Sequence, residues 1–69
     1  MKLSIRNQLS GEVVDVTLGA VSAIVKVKLD GGDQIITSSI TKEAAEELGL
    51  KPGTKVTALI KSSEVSIGV

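Results

Sequence analysis

The sequence lacks the residues that most often cross-link a small domain or bind a metal cation in it. Its 69 residues include no cysteine and no histidine. The absence of cysteine excludes disulfides, thiolate metal sites and cysteine nucleophiles. A zinc site would have to use carboxylates alone, which is unusual. The chain therefore cannot use a disulfide, and cannot use an ordinary zinc site, as small domains commonly do.

Aromatic side chains and a net charge are also absent. The chain has no Phe, Tyr or Trp, and its eight basic residues balance its eight acidic ones. Nucleic-acid-binding domains usually carry a basic excess, and single strands stack their bases on aromatic rings. We therefore expect no nucleic-acid partner.

Long apolar runs are missing as well. No segment approaches the roughly 18 apolar residues of a membrane span, and the first residues contain no long apolar stretch of the kind found in a signal peptide. These absences predict no membrane partner and a cytoplasmic location.

What the chain does have is a high apolar content for its size. Apolar residues make up 42% of the sequence, and the mean hydropathy is +0.32. A domain this short buries only about 60% of the surface that its unfolded chain exposes. Burial against other copies is the remaining source of stability, so we expect an obligate oligomer.

The dominant sequence pattern is an alternation of apolar and polar residues, which is typical of half-buried strands. It predicts six short strands, over about residues 3–9, 12–18, 21–29, 34–40, 56–61 and 65–69. Asp30-Gly31-Gly32-Asp33 predicts a hairpin turn, and Lys51-Pro52-Gly53-Thr54 suits a type II turn. The only helical signal follows Thr41, a good N-cap residue, and ends before Gly49. The sum predicts a single domain over residues 1–69: a mainly β, small OB-like Greek-key barrel with one short helix.

Catalysis has little support in the sequence. Without His or Cys, the remaining bases are Asp, Glu and Lys, and no spacing suggests a catalytic carboxylate pair. We therefore predict that the chain is not an enzyme. Three segments instead concentrate hydrogen-bond donors without a carboxylate: residues 4–8, 37–41 and 61–63. Such donors suit a fully deprotonated oxyanion. Strand propensity and solvated edges explain the same residues, and composition and spacing alone favour this second interpretation.

Five segments together resemble the molbindins, also called Mop proteins. Ser4-Ile5-Arg6-Asn7-Gln8-Leu9 resembles their SARNQL opening, and residues 19–23 resemble their GAVNAEV segment. Residues 40–41 with 46–50 resemble an IIT…EELGL segment, residues 56–61 match VTALIK, and the Ile67-Gly68-Val69 ending is also similar. The likeness runs in order along nearly the whole chain.

The resemblance implies a Mop domain, the unit also found in TOBE domains. Free-standing members of this family form a hexamer, built as a trimer of dimers, and bind molybdate or tungstate at subunit interfaces. The implied function is intracellular storage or homeostasis of these oxyanions. Carried over by position, one kind of site would use Ser4, Ile5, Arg6, Thr41, Lys61 and Ser62, from more than one chain. A second kind, near a symmetry axis, would use the backbone amides of Ala20, Val21 and Ser22.

The chain departs from the family pattern at three positions. Ile5 replaces an alanine, although its amide can still donate. Ser22 stands where the family usually has asparagine, and Ala44 stands where relatives have a serine. The change at Ala44 removes a hydroxyl donor from the first site, which weakens binding there unless Ser62 or Ser63 supplies the missing bond.

Two other functions remain open at this stage. The apolar content alone would also suit an OB-like oligomeric interaction or scaffold module without a small ligand. An oligonucleotide-binding OB domain is a third candidate, against which the zero net charge and the missing aromatics count. The sequence does not distinguish molybdate from tungstate, since both are tetrahedral dianions of nearly equal size.

Overall fold

Four antiparallel strands and one short helix form a curled sheet in the computed structural model, which describes residues 2–69. The elements are β1 (Asn7–Leu18), β2 (Ser22–Leu29), β3 (Ile35–Thr41), α1 (Lys42–Glu47), β4 (Lys55–Ile60) and a 3-10 turn (Ser62–Glu64). The strand order is β3-β2-β1-β4. The predicted class, a mainly β, small OB-like Greek-key barrel with one short helix, is confirmed, and in the single chain the curled antiparallel sheet forms a half-barrel. The described residues form four strands, however, where the sequence pattern predicted six.

The first two predicted strands are one continuous strand. β1 pairs with β4 through residues 7–12 and with β2 through residues 11–18. Gly11 belongs to both pairings and lies where the neighbouring strand approaches closely. A Cβ at this position would lie 2.6 Å from the Lys28 carbonyl oxygen and 2.7 Å from a Val27 methyl. A glycine that permits close approach of a neighbouring strand does not end a strand. The prediction of a strand from residue 3 was wrong, since residues 3–6 lie outside the sheet.

β2 and β3 form the predicted hairpin. The Leu29 N–H donates to the Gln34 carbonyl across the turn at 2.9 Å, and Gly31 has a φ of 84°. On β2 every second residue from Ala23 to Val27 is buried, as the alternation predicted.

The helix begins and ends as predicted. Thr41 is the N-cap, and its Oγ1 accepts a hydrogen bond from the Ala44 N–H at 3.0 Å. Such caps satisfy one of the amides that a helix leaves free at its first turn. Ala45 is the residue that α1 buries against the sheet.

The type II turn before β4 is also present. The Thr54 N–H donates to the Lys51 carbonyl at 3.0 Å, and Gly53 has a φ of 98°. The predicted last strand, residues 65–69, is absent. The chain leaves β4 through the 3-10 turn, and these residues pair with no other described strand. An alternating pattern makes a strand only where a neighbour supplies the ladder.

The core of the described chain is small. It consists of Val13, Ala23, Val25, Val27 and Ala45. Twelve large apolar side chains are more than about a third exposed among residues 2–69, including Val21, Leu48 and Ile67. Between β3 and β4 the concave face of the sheet stays open as a groove of about 730 Å³. No helix within residues 2–69 has the length and apolar character needed to cross a membrane.

Candidate functional site

Two segments from opposite ends of the chain line one open cavity. Its volume is about 440 Å³, and it is lined by Ser4, Ile5, Arg6, Lys61, Ser62 and Ser63. Five of these six are residues that the resemblance to the Mop proteins assigned to the first kind of site. The structure therefore brings together, within one chain, all members of that predicted set except Thr41.

The pairing of β1 with β4 explains why these segments meet. Asn7 and Ile60 are the last Cα partners of the antiparallel ladder, so residues 4–6 and 61–63 leave the sheet side by side. The Asn7 side chain adds a hydrogen bond between the two strands, since its Nδ2 donates to the Ile60 carbonyl at 3.1 Å. Gln8 Nε2 donates to the Ile5 carbonyl at 2.7 Å and turns the N-terminal segment back toward the strand.

The residues that line the cavity include two cations and three hydroxyl donors. Arg6 and Lys61 supply two cations, Ser4, Ser62 and Ser63 supply hydroxyls, and none of the six lining residues is a carboxylate. Guanidinium and ammonium groups only donate hydrogen bonds, and hydroxyls can donate. Such a lining can bind a small anion that carries no proton, since every oxygen of the anion can accept a bond.

The segment predicted for the second kind of site lies at a different place. Ala20 and Val21 line a cavity of about 580 Å³ together with Thr41 and residues of α1. Ser22 is the Cα partner of Thr41 between β2 and β3. The Lys42 N–H donates to the Val21 carbonyl at 2.9 Å, which holds the start of the helix against this segment.

Thr41 is the one residue predicted for the first kind of site that does not line the same cavity as the others within a single chain. It was expected to act with Ser4, Arg6 and Lys61, yet in one chain it lines the cavity of Ala20 and Val21. Its Oγ1 accepts the Ala44 N–H, which leaves the hydroxyl hydrogen free to donate. This separation is compatible with the prediction that the first kind of site takes residues from more than one chain.

The second cavity differs from the first in charge. Glu43, Glu46 and Glu47 line it, and Lys42 is the single cation among its lining residues. All three glutamates are exposed. Their place beside Ala20 and Val21 was missed, although positions i, i+3 and i+4 share one helix face.

Two other features of the site were not anticipated from the sequence. Ser63 lines the first cavity, where the sequence suggested it only as a substitute donor. Asn7 was grouped with the other donors of residues 4–8, but its bond is to the protein backbone. Within residues 2–69, no group of Asp and Glu side chains is arranged to hold a metal ion.

Comparison with known proteins places these features in a family. The profile of the TOBE domain matches residues 3–67. The "Molybdenum-pterin-binding protein 3" of Clostridium pasteurianum is 49% identical over 67 residues, which are 97% of each chain. This confirms the resemblance to the Mop proteins.

Solved structures agree with the sequence relatives. MopII from Clostridium pasteurianum, in an apo form, matches with a TM-score of 0.91 and 43% identity over 99% of this chain and 100% of that one. The cytoplasmic molybdate-binding protein ModG, with molybdate bound, matches with a TM-score of 0.92 and 52% identity over all of this chain and 48% of its own.

Proposed function

Because this chain belongs to the TOBE domain family, we propose that it binds the oxyanions molybdate and tungstate for intracellular storage or homeostasis. The observation that carries the proposal is the cavity lined by Arg6, Lys61 and three serines without a carboxylate. A tetrahedral dianion needs two balancing charges and several donors, and this lining offers both.

The hydrogen-bond donors that line the cavity also indicate which anions the site would exclude. Phosphate is often protonated at neutral pH, and a site that offers only donors has no acceptor for that proton. Sulfate carries no proton but is smaller, so its oxygens would lie too far from some of the donors. Molybdate and tungstate are nearly equal in size and charge, so we propose that both bind.

The relatives support molybdate as a ligand and argue against catalysis. One is named for molybdenum-pterin binding, and ModG is described as a molybdate-binding protein with molybdate bound. These are binding proteins and not enzymes, in agreement with the sequence analysis. The description of ModG as cytoplasmic supports a cytoplasmic location for this chain.

The proposed assembly is a homohexamer built as a trimer of dimers, with each chain forming one domain over residues 1–69. Two observations favour an assembly of copies. Large apolar side chains such as Val21 and Leu48 are 79% and 67% exposed in the single chain. Thr41 lies in a different cavity from Arg6 and Lys61, so a site that contains all three would take Thr41 from a neighbouring copy.

In this assembly we assign two kinds of site. The first would use Arg6 and Lys61 to neutralise the dianion, while Ser4, Ser62, Thr41 and the Ile5 amide would contact its oxygens. The second would use the amides of Ala20, Val21 and Ser22. Because the second cavity is lined by three glutamates, we expect it to hold a dianion less tightly than the first.

Isothermal titration with molybdate, tungstate and sulfate tests the proposal. We expect heat and a saturable stoichiometry for the first two anions and none for sulfate, and elemental analysis of the purified protein should find molybdenum or tungsten. Arg6→Ala should remove most binding at the first kind of site, whereas Lys26→Ala, which removes an exposed cation on β2, should not. An oligomer that binds no oxyanion would reject this function and favour a scaffold module.

A further inference from the structure

The carbonyl at the middle of one cavity wall is hydrogen-bonded to a donor outside the cavity. Ile5 lies between Ser4 and Arg6, and these three residues form the N-terminal wall. The Ile5 carbonyl accepts Gln8 Nε2 at 2.7 Å, and Gln8 is not among the residues that line the cavity. In a trans peptide the carbonyl points opposite to the following N–H, so the Ile5 oxygen and the Arg6 N–H lie on opposite sides of the segment. The bond to Gln8 therefore fixes the orientation of this peptide.

Two carbonyls of the other wall are also bonded, but by the backbone. The Lys61 carbonyl accepts the Glu64 N–H at 2.8 Å, and the Ser62 carbonyl accepts the Val65 N–H at 3.3 Å. Both bonds lie within the 3-10 turn and its C-terminal cap, so they form wherever that turn forms. On the N-terminal wall the corresponding bond depends on a single side chain, that of Gln8.

A free carbonyl oxygen in this cavity would change which anions it accepts. A carbonyl only accepts hydrogen bonds. It therefore repels an oxyanion that carries no proton and accepts a bond from the O–H of one that does. Molybdate carries no proton at neutral pH, whereas arsenate is close to it in size and is protonated. The two anions thus differ mainly in the group that such an oxygen would contact.

We propose that Gln8 is a positioning residue that keeps the Ile5 carbonyl out of the anion site and so excludes protonated oxyanions such as arsenate and hydrogen phosphate. The inference rests on the proposed function, because it concerns the selectivity of the cavity that contains Arg6 and Lys61. Gln8 lies outside this cavity and acts through the orientation of the Ile5 peptide. Its side chain is exposed on β1, so it can be replaced without repacking the core.

Competition between two anions tests this role. Gln8→Met keeps the length of the side chain and removes its hydrogen-bond donor. Equilibrium dialysis with molybdate and increasing arsenate gives the excess of arsenate that displaces half of the bound molybdate. We expect this excess to fall at least about tenfold in Gln8→Met, because the freed oxygen weakens molybdate binding and adds a hydrogen bond to arsenate, each severalfold.

Gln34→Met is the matched control. Gln34 is exposed at the hairpin between β2 and β3, and it does not line the cavity. The excess of arsenate should stay within about twofold of the wild-type value, as is usual for a surface substitution. Circular dichroism verifies that both variants are folded. In NMR spectra the carbonyl carbon of Ile5 should shift in Gln8→Met and not in Gln34→Met, which reports the loss of the bond.

A change in selectivity distinguishes positioning from a merely structural role. If Gln8→Met weakens both anions by the same factor, the excess of arsenate is unchanged, and Gln8 only stabilises the segment. A Gln8→Met protein that binds neither anion leads to the same conclusion. A wild-type protein that binds arsenate as tightly as molybdate has no such selectivity. Each of these results overturns the inference.

The wild-type titration separates this inference from the function on which it rests. A wild-type protein that binds molybdate, and from which arsenate displaces it as readily as from Gln8→Met, rejects the role of Gln8 and leaves the function in place. A wild-type protein that binds neither molybdate nor tungstate rejects the function, and the role of Gln8 with it.

Discussion

The side chain of Asn7 is hydrogen-bonded to the carbonyl of Ile60, 53 positions away in the sequence. The two residues are also the last Cα pair between β1 and β4. Arg6 and Lys61 are their immediate neighbours, so the position of each cation relative to the other depends on this one pairing. The proposed anion site is therefore built on the end of a sheet and inherits its geometry from the register of two strands.

Asn7→Ala should separate the two walls of the cavity. The half-buried Ile60 carbonyl loses a donor, which costs about 1 kcal/mol of stability, and the segment that carries Arg6 loses a side-chain hydrogen bond to the strand that precedes Lys61. We expect molybdate affinity to fall severalfold by isothermal titration. Thr17→Val removes an exposed side-chain bond on the same strand and should leave affinity unchanged. Equal affinities in the two variants would show that Asn7 does not position the site.

Gly11→Ala should destabilise the fold without touching the cavity. Its Cβ would meet the Lys28 backbone oxygen at 2.6 Å, and overpacking of this kind typically costs about 1–3 kcal/mol. The matched control is Gly32→Ala, where an added Cβ meets nothing within 4 Å. Urea unfolding should give a lower midpoint for the first variant only. A Gly11→Ala protein as stable as wild type would mean that β1 and β2 can move apart freely.

Thr41 should have two separable roles. Thr41→Val removes the acceptor for the Ala44 N–H and should cost about 1 kcal/mol of stability, whereas Thr41→Ser keeps the hydroxyl and should cost less. If a second copy brings Thr41 to the first site, Thr41→Val and Arg6→Ala will show non-additive losses of molybdate affinity in a double-mutant cycle. Strictly additive losses would place Thr41 outside that site.

The ion pair between Glu12 and Lys55 should give a small pH dependence. Lys55 Nζ lies 2.8 Å from Glu12 Oε1, and this hydrogen bond lowers the pKa of Glu12 and raises the pKa of Lys55. A lowered carboxyl pKa contributes stability above its ordinary value, near 4.5, and that stability is lost as the pH falls through the folded pKa. The raised Lys55 pKa contributes below about 10.5 and is lost as the pH rises through its folded value.

The difference in stability between wild type and Glu12→Gln should therefore be largest near neutral pH and shrink toward pH 3. Thermal unfolding at several pH values measures it, and the effect will be small because the pair is exposed. Glu47→Gln removes the same charge from a residue that makes no ion pair with another described residue. A difference for Glu12→Gln that does not change with pH would contradict the role of the pair.

Local patterns predicted those parts of the fold that local chemistry determines. The hairpin at Gly31, the cap at Thr41 and the turn at Gly53 each depend on a few adjacent residues, and each is present. The failures concern pairing. The alternation at residues 3–6 and 65–69 is real, but no described strand lies beside these residues. A strand needs a neighbour, and one chain's pattern does not say whether a neighbour exists.

In the candidate site, too, the residue types were predictable from the sequence and their pairing in space was not. Donors at residues 4–6 and 61–63 were visible as residue types, but their adjacency follows from the β1–β4 register, which spacing alone does not reveal. The resemblance to the Mop proteins supplied that grouping, and in the structure these residues line one open cavity. Thr41 was grouped with them as well, and a single chain places it elsewhere.

The cavity lined by residues 4–6 and 61–63 shares no residue with the buried core. The buried set of Val13, Ala23, Val25, Val27 and Ala45 lies entirely within β1, β2 and α1, whereas the cavity uses the two exposed segments that leave the sheet. Substitutions at residues 4–6 or 61–63 can therefore change the charge and size of the anion that the proposed site would accept, without repacking the interior. Ligand preference in such a domain is free to diverge while the scaffold stays constant.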